Sequence, residues 1–304
     1  MNKGIVYILL SSIAFLIVNI FVKILGSGSE QPFFSELQNY PISELILFRC
    51  IITFIICFAI IKAKKIPFFG SNKKWLVIRG LFGTVALTLF FFTLQNLPLA
   101  IATTVQYLSP MFTVIVATFL LKERVKRIQW IMMCFALLGV ALLGFSKLLS
   151  ENPDVSTINP YWLLAGVTSA FLSGIAYSAI VKCRSTDHPV TIVMYFPLIA
   201  TPIMIMYLLF FENFIVPIGI EWLLVLIIGI FTHIAQMLMT KALHLEQTAT
   251  VIPFKYLGSI YAILVGFFIF DERVSIYGIF AIVVILIGVI GNSMVKKGKR
   301  RNIA

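Results

Sequence analysis

Apolar stretches of roughly 20 residues follow one another along almost all of this 304-residue chain. Each is long enough to cross about 30 Å of hydrocarbon as an α-helix. In lipid every backbone polar group must be satisfied from within, so continuous apolar runs of this length fold as helices. A membrane β-barrel would need short segments of alternating polarity, and the chain carries none. Composition agrees. Hydrophobic residues make up 60% of the chain, charged residues 12%, and mean hydropathy is +1.03, whereas a soluble domain needs about a quarter charged residues. The gaps near Gly26–Tyr40 and Lys147–Asn159 are loop-sized. The expectation is one all-α integral membrane domain.

Ten spans are expected: Gly4–Leu25, Pro41–Ala63, Lys74–Gln95, Leu99–Leu121, Lys126–Gly144, Pro160–Lys182, Pro189–Phe210, Ile220–Ala242, Thr248–Phe270 and Ser275–Val295. The first resembles a secretory signal, with Lys3 before it and Gly26-Ser27-Gly28 after it, but its apolar run is long for one. We read it as an uncleaved span.

The chain also repeats itself. Leu121-Lys122-Glu123-Arg124-Val125 closes the fourth span, and Phe270-Asp271-Glu272-Arg273-Val274 closes the ninth, 149 positions later. The same shift places Tyr107 on Tyr256, Ala100 on Ala249 and Gly139-Val140 on Gly288-Val289. Two copies of one membrane unit are a common plan of carriers, with the site at the seam between copies. The halves are residues 1–149 and 150–304.

Charge sets the expected orientation. With the N-terminus inside, the cytoplasmic segments hold Lys3, Lys62, Lys64, Lys65, Lys73, Lys74, Lys122, Arg124, Lys126, Arg127, Lys182, Arg184, Lys241 and the tail Lys296-Lys297-Gly298-Lys299-Arg300-Arg301. Only Lys147 and Arg273 fall opposite, so the positive-inside rule puts both termini in the cytoplasm of a bacterial inner membrane. Glu30, Glu36, Glu151, Asp154, Glu212, Glu221, Asp271 and Glu272 lie outside. Five spans per copy is odd, so the second copy is inverted, a plan that supports alternating access. The net charge of +12 is gathered in topology clusters, which argues against nucleic acid, and the tail suits an anionic lipid surface. Cys50, Cys57, Cys134 and Cys183 form no CxxC and read as packing residues, with no metal or cofactor implied.

Arg79-Gly80-Leu81-Phe82-Gly83-Thr84, Leu97-Pro98-Leu99-Ala100, Ser109-Pro110-Met111-Phe112 and Lys122-Glu123-Arg124-Val125 resemble EamA-type carriers of the drug/metabolite transporter superfamily. Ile252-Pro253-Phe254-Lys255-Tyr256 and Phe270-Asp271-Glu272-Arg273 extend the resemblance, nearest to the subgroup with S-adenosylmethionine and riboflavin permeases. It implies two inverted five-helix halves around a cavity open to one side at a time, with substrate between the third, fourth, eighth and ninth helices. One departure is that Ser259 stands where the repeat expects the match to Pro110, with Pro253 six residues earlier, so the halves are expected to bend at different depths.

Polar groups inside spans are costly and face a cavity or a partner helix. Lys255 matches Gln106 under the repeat, and each is followed by a tyrosine, Tyr256 and Tyr107. These facing positions are the first candidate for the substrate site; a helix–helix hydrogen bond, or snorkelling for Lys255, is the alternative. Arg49, about 12 Å along its span, could hold a carboxylate or phosphate, or tie helix ends through backbone carbonyls or Glu44. Arg79 and Lys23 sit near span ends and are expected to snorkel. His233 shares a helix face with Gln236 and could relay a proton or simply be hydrogen-bonded. Pro110 and Pro253 break their helices' hydrogen-bond ladders, which frees carbonyls for substrate or permits curvature; curvature is expected. No Asp or Glu lies deep in a span, which argues against a carboxylate coupling site and for a positive cavity suited to an anionic group. Gly166, Ala170, Gly174 and Ser178 form a small-residue stripe for close helix contact, within the chain or in a homodimer.

The leading expectation is a permease for a small polar metabolite. A flippase for a lipid or lipid-linked sugar fits the same plan. A membrane enzyme would need a cluster of reactive groups, and Asp187-His188 is the only adjacent pair.

Overall fold

The computed structural model describes residues 2–27, 37–96, 105–151, 160–261, 264 and 276–294. The helices are α1 (Lys3–Ser27), α2 (Ile42–Lys64), α3 (Lys73–Asn96), α4 (Leu108–Leu121), α5 (Arg127–Glu151), α6 (Pro160–Cys183), α7 (Pro189–Phe211), α8 (Glu221–Leu245), α9 (Thr248–Val251, continued by a 3₁₀ turn over Ile252–Tyr256) and α10 (Ile276–Met294). No strand occurs among the described residues. Six helices among them are long and apolar enough to cross a membrane, and three shorter apolar helices accompany them. Large apolar side chains stand exposed around the outside, Phe119, Leu209, Ile276 and Phe280 among them, as a lipid-facing surface requires. The Phe270–Val274 copy of the repeated motif, Leu97–Ala100, the basic tail and the side chains of Lys23 and Lys147 lie outside what is described.

Helix starts and stops agree with the expected spans to within a few residues in seven cases; the start of the fourth span and the end of the ninth lie outside the described residues, and the fifth is corrected. α5 continues to Glu151, into the stretch taken as the Lys147–Asn159 loop.

The helices pair closely. α3 packs along α6 and α1 along α8; α2 meets α7, and α5 meets α10. Glycine sets the last contact. A Cβ on Gly139 would lie 2.7 Å from the Ile285 nitrogen, and one on Gly288 would lie 2.5 Å from the Ala136 nitrogen. The repeated Gly-Val pair therefore marks the two sides of one crossing. The stripe on α6 also acts inside the chain: Gly166 abuts Thr93 and Val105, Gly174 abuts the Phe112 backbone, and the Ser178 hydroxyl donates to the Gly174 carbonyl at 2.9 Å.

One end of the bundle gathers the cations. There the loop after α2 meets the loop after α6, where Asp187 accepts from the backbone N–H of Ser71 and Asn72, ahead of α3. Glu123, just past α4, accepts from the Thr248 N–H at the start of α9 and lies 3.8 Å from Arg184. The opposite end gathers carboxylates. Glu221 takes the Tyr40 hydroxyl at 2.6 Å, the Gln38 N–H at 2.7 Å and the Ile218 N–H at 2.7 Å. Ser43 donates to Glu212, and Glu44 accepts from the Ile215 N–H at 3.1 Å. The ends of α2, α4 and α6 and the starts of α3 and α9 thus share one end of the bundle, and the starts of α2 and α8 and the end of α7 share the other.

Candidate substrate site

The broken ninth helix positions Lys255. Pro253 has no N–H, so the carbonyl four residues back, that of Ala249, loses its helical donor. Two amides replace it. Asn292 of α10 donates at 3.1 Å and Gln129 of α5 at 3.5 Å. The freed carbonyl is therefore held by protein, which agrees with curvature rather than substrate contact. The chain continues as a 3₁₀ turn to Tyr256 and resumes its helix, where the Ser259 hydroxyl donates to the Tyr256 carbonyl at 2.6 Å. In the first half the helix is interrupted at Tyr107, three residues before Pro110. Tyr107 and Tyr256 are repeat equivalents, so both irregular stretches end at matching positions. Ser259 secures the turn in one half, and Pro110 follows the interruption by three residues in the other.

These tyrosines touch, with ring centroids 6.3 Å apart. Their neighbours diverge along one face of α6, which presents Ser169, Ser173 and Tyr177 at four-residue spacing. The Gln106 amide nitrogen lies 3.4 Å from the Ser173 hydroxyl, and its oxygen lies 3.3 Å from that of Ser169. Lys255 places its ammonium 4.2 Å from the centre of the Tyr177 ring. Snorkelling is not its conformation.

Arg79 is the larger correction. It is 2% exposed, and its guanidinium donates to the Gln236 side-chain oxygen at 2.8 Å while lying 5.3 Å from the Phe196 ring centre. Gly83, one turn along α3, makes the space: a Cβ there would sit 2.4 Å from the Arg79 guanidinium. Arg49 is also buried, at 6% exposure. Of the alternatives for it, the tie to Glu44 is not formed, and Glu44 accepts from the Ile215 N–H. Arg49, Arg79 and Lys255 all lie within electrostatic reach of the Tyr177 hydroxyl. The Nε atoms of both arginines are buried with no hydrogen-bond acceptor. No carboxylate is paired with any of the three among the described residues.

His233, one turn from Gln236 on α8, has its Nδ1 3.5 Å from the Cys57 thiol. His188 and Asp187 have structural roles. His188 accepts from the Val190 N–H at the start of α7, and Asp187 braces the approach to α3. Burial and the nearby Lys64 and Lys241 hold the His188 pKa below the ordinary histidine value. No group of three or more metal-binding side chains occurs among the described residues.

A carrier family accounts for such a bundle with a cationic centre. The family model described as the EamA-like transporter family matches residues 2–145 and again residues 160–294. The chain belongs to the EamA-like transporter family. Its relatives include the pseudopaline exporter of Pseudomonas aeruginosa strain UCBPP-PA14, 25% identical over 300 residues and 98% of each chain. Human solute carrier family 35 member G1 is 27% identical over 88% of this chain and 73% of its own. The S-adenosylmethionine uptake transporter of Rickettsia prowazekii strain Madrid E is 24% identical over 64% of this chain and 63% of its own. One crystal structure superposes with a TM-score of 0.78 over 97% of this chain and 98% of its own at 18% identity, which is a likeness of fold. The chain is thus a multi-pass membrane protein of a transporter family.

Sequence reasoning singled out Lys255, Arg49 and Gln236 as candidates, did not single out Tyr177, and assigned Arg79 to the membrane edge, whereas Arg79 is buried. The Ser169, Ser173, Tyr177 spacing was the available signal for Tyr177.

Proposed function

We propose that this transporter moves a small polar metabolite with an anionic group across the cytoplasmic membrane by alternating access of two inverted five-helix halves. The observation that carries the reading is a set of three cations with no carboxylate partner among the described residues: buried Arg49 of α2 and Arg79 of α3, and half-buried Lys255 of α9, whose ammonium lies against the Tyr177 ring of α6. An unneutralised buried charge costs several kcal/mol. A region that keeps two such charges inside the bundle, with a third cation half-buried, is suited to a ligand that brings the opposite sign.

Several features support the two-half plan. The family model matches the chain twice. The packing is symmetric under exchange of halves: α3 on α6 mirrors α8 on α1, while α2–α7 and α5–α10 are self-paired. Tyr107 against Tyr256 falls on the same exchange. The segregation of cations at one end supports cytoplasmic termini.

Uptake of radiolabelled metabolites into proteoliposomes tests the reading. Saturable transport of an anionic metabolite, abolished in Lys255→Ala and Arg49→Ala, is expected. Normal uptake in both variants would remove these residues from the substrate site.

A further inference from the structure

We infer that the site selects ligands with at least two negative charges, with the Tyr177 hydroxyl as the central donor that reads them. The inference rests on the proposed transport reading and narrows its substrate class.

The partners that the three cations already have are all neutral. Arg79 has the Gln236 amide and the Phe196 ring. Lys255 has the Tyr177 ring. Arg49 makes no hydrogen bond among the described residues, and the Nε atoms of both arginines are buried without acceptors. Amides and aromatic faces orient a cation without cancelling its charge. A monoanion would leave two of the three charges uncompensated in a low-dielectric centre. A dianion or trianion would leave one or none. Arginine forks match the planar oxygens of carboxylate or phosphate, and lysine adds a point charge. Lys255 sits against the Tyr177 ring, and Tyr177 also feels the field of Arg79 and Arg49, so its hydroxyl can donate to a ligand oxygen that these cations attract. The same field repels net cations. S-adenosylmethionine, a sulfonium cation, is therefore disfavoured here, although a relative is named for its uptake.

The test is ligand-dependent thermal stabilisation of the purified full-length protein in nanodiscs, at constant ionic strength. The probes are citrate, succinate, inorganic phosphate, succinamate, acetate and S-adenosylmethionine. Stabilisation follows occupancy of the folded state. Citrate, succinate or phosphate is expected to half-saturate at about tenfold lower concentration than succinamate or acetate. That preference is expected to vanish in Arg49→Gln and Arg79→Gln, to shrink in Tyr177→Phe, which keeps the ring against Lys255, and to persist in the exposed control Lys74→Gln. Should Arg79→Gln fail to fold, Tyr177→Phe and Arg49→Gln carry the test. Equal effects of monoanions and polyanions, stabilisation by S-adenosylmethionine alone, or no anion effect would overturn the charge rule. Saturable uptake of a monoanion or cation in the proteoliposome assay would overturn it while leaving transport intact. Polyanion binding without uptake would leave the charge rule standing and reject transport.

Discussion

Replacing Gly288 with valine should loosen the bundle at a defined place. The crossing of α5 and α10 depends on two glycines whose missing side chains let the helix backbones touch. A Cβ on Gly288 would meet the Ala136 nitrogen at 2.5 Å, the Met132 carbonyl at 2.6 Å and the Ala136 Cβ at 2.8 Å. Ordinary contact begins at 3.4 Å, so the helices must separate locally by about 0.9 Å, the difference from 2.5 Å. The obstructing atoms are mainly backbone, so no rotamer change relieves them. Overpacking of this kind costs about 1–3 kcal/mol, and valine's two methyls place the cost toward the upper end. Helix propensity returns only a few tenths of a kcal/mol for this exchange. At roughly 2–4 °C per kcal/mol, the melting temperature in detergent should fall by about 4–10 °C. Gly139→Val should behave alike, since its Cβ would approach the Ile285 nitrogen at 2.7 Å. The double variant should lose less than the sum, because both substitutions open one seam. Gly26→Val is the matched control, with no atom within 4 Å of its Cβ. Gly288→Val melting within a degree of wild type would refute the close-crossing argument.

Other outcomes follow from contacts at the ends and centre of the bundle. Gly83→Ala should displace the Arg79 guanidinium from Gln236, raising KM for uptake with little change in melting temperature; an unchanged KM would count against the packing of Arg79. Tyr40→Phe removes the hydroxyl donated to Glu221 and should cost about 1.5–3 kcal/mol, the range for hydrogen bonds to charged groups, measured by thermal unfolding. Asp187→Ala should cost about 1–2 kcal/mol by stripping the acceptor from the Ser71 and Asn72 N–H groups. His188 gives a pH dependence. Its folded pKa lies below the ordinary value, so its contribution is complete above about pH 6.5 and is lost as pH falls through the window below that value. His188→Asn, which keeps an acceptor for the Val190 N–H, should flatten part of the acid loss in melting temperature.

Much of the fold was legible because lipid imposes one rule on every span. The stretch Pro160–Lys182, read as a span from apolarity alone, is α6 to within one residue. The repeated Gly139-Val140 and Gly288-Val289 pairs hinted at a shared crossing, and the backbone approach explains why glycine stands there. The centre was less legible. Distance from a span end suggested that Arg79 could reach the edge, yet its direction depends on Gly83 vacating space and on Gln236 arriving from another helix. Tyr177 was hidden among the apolar residues of α6 because the role proposed for it depends on cations carried by other helices, Lys255 against its ring among them. Sequence spacing describes one helix at a time, whereas this site is made where several converge. Even Glu44, near the start of α2 by count, is wholly buried, because neighbouring segments cover a helix end that hydropathy treats as exposed.

On the proposed transport reading, the guanidiniums of Arg49 and Arg79, which have no carboxylate partner among the described residues, also couple this protein to voltage. An elementary charge carried through the whole membrane field exchanges about 2.3 kcal/mol per 100 mV. A carrier whose empty centre bears several positive charges and whose loaded centre is nearly neutral feels that field mainly on its return stroke. With the cell interior negative, the unloaded centre is drawn inward. Turnover in vesicles should therefore respond to an imposed potential even when the loaded step moves almost no net charge.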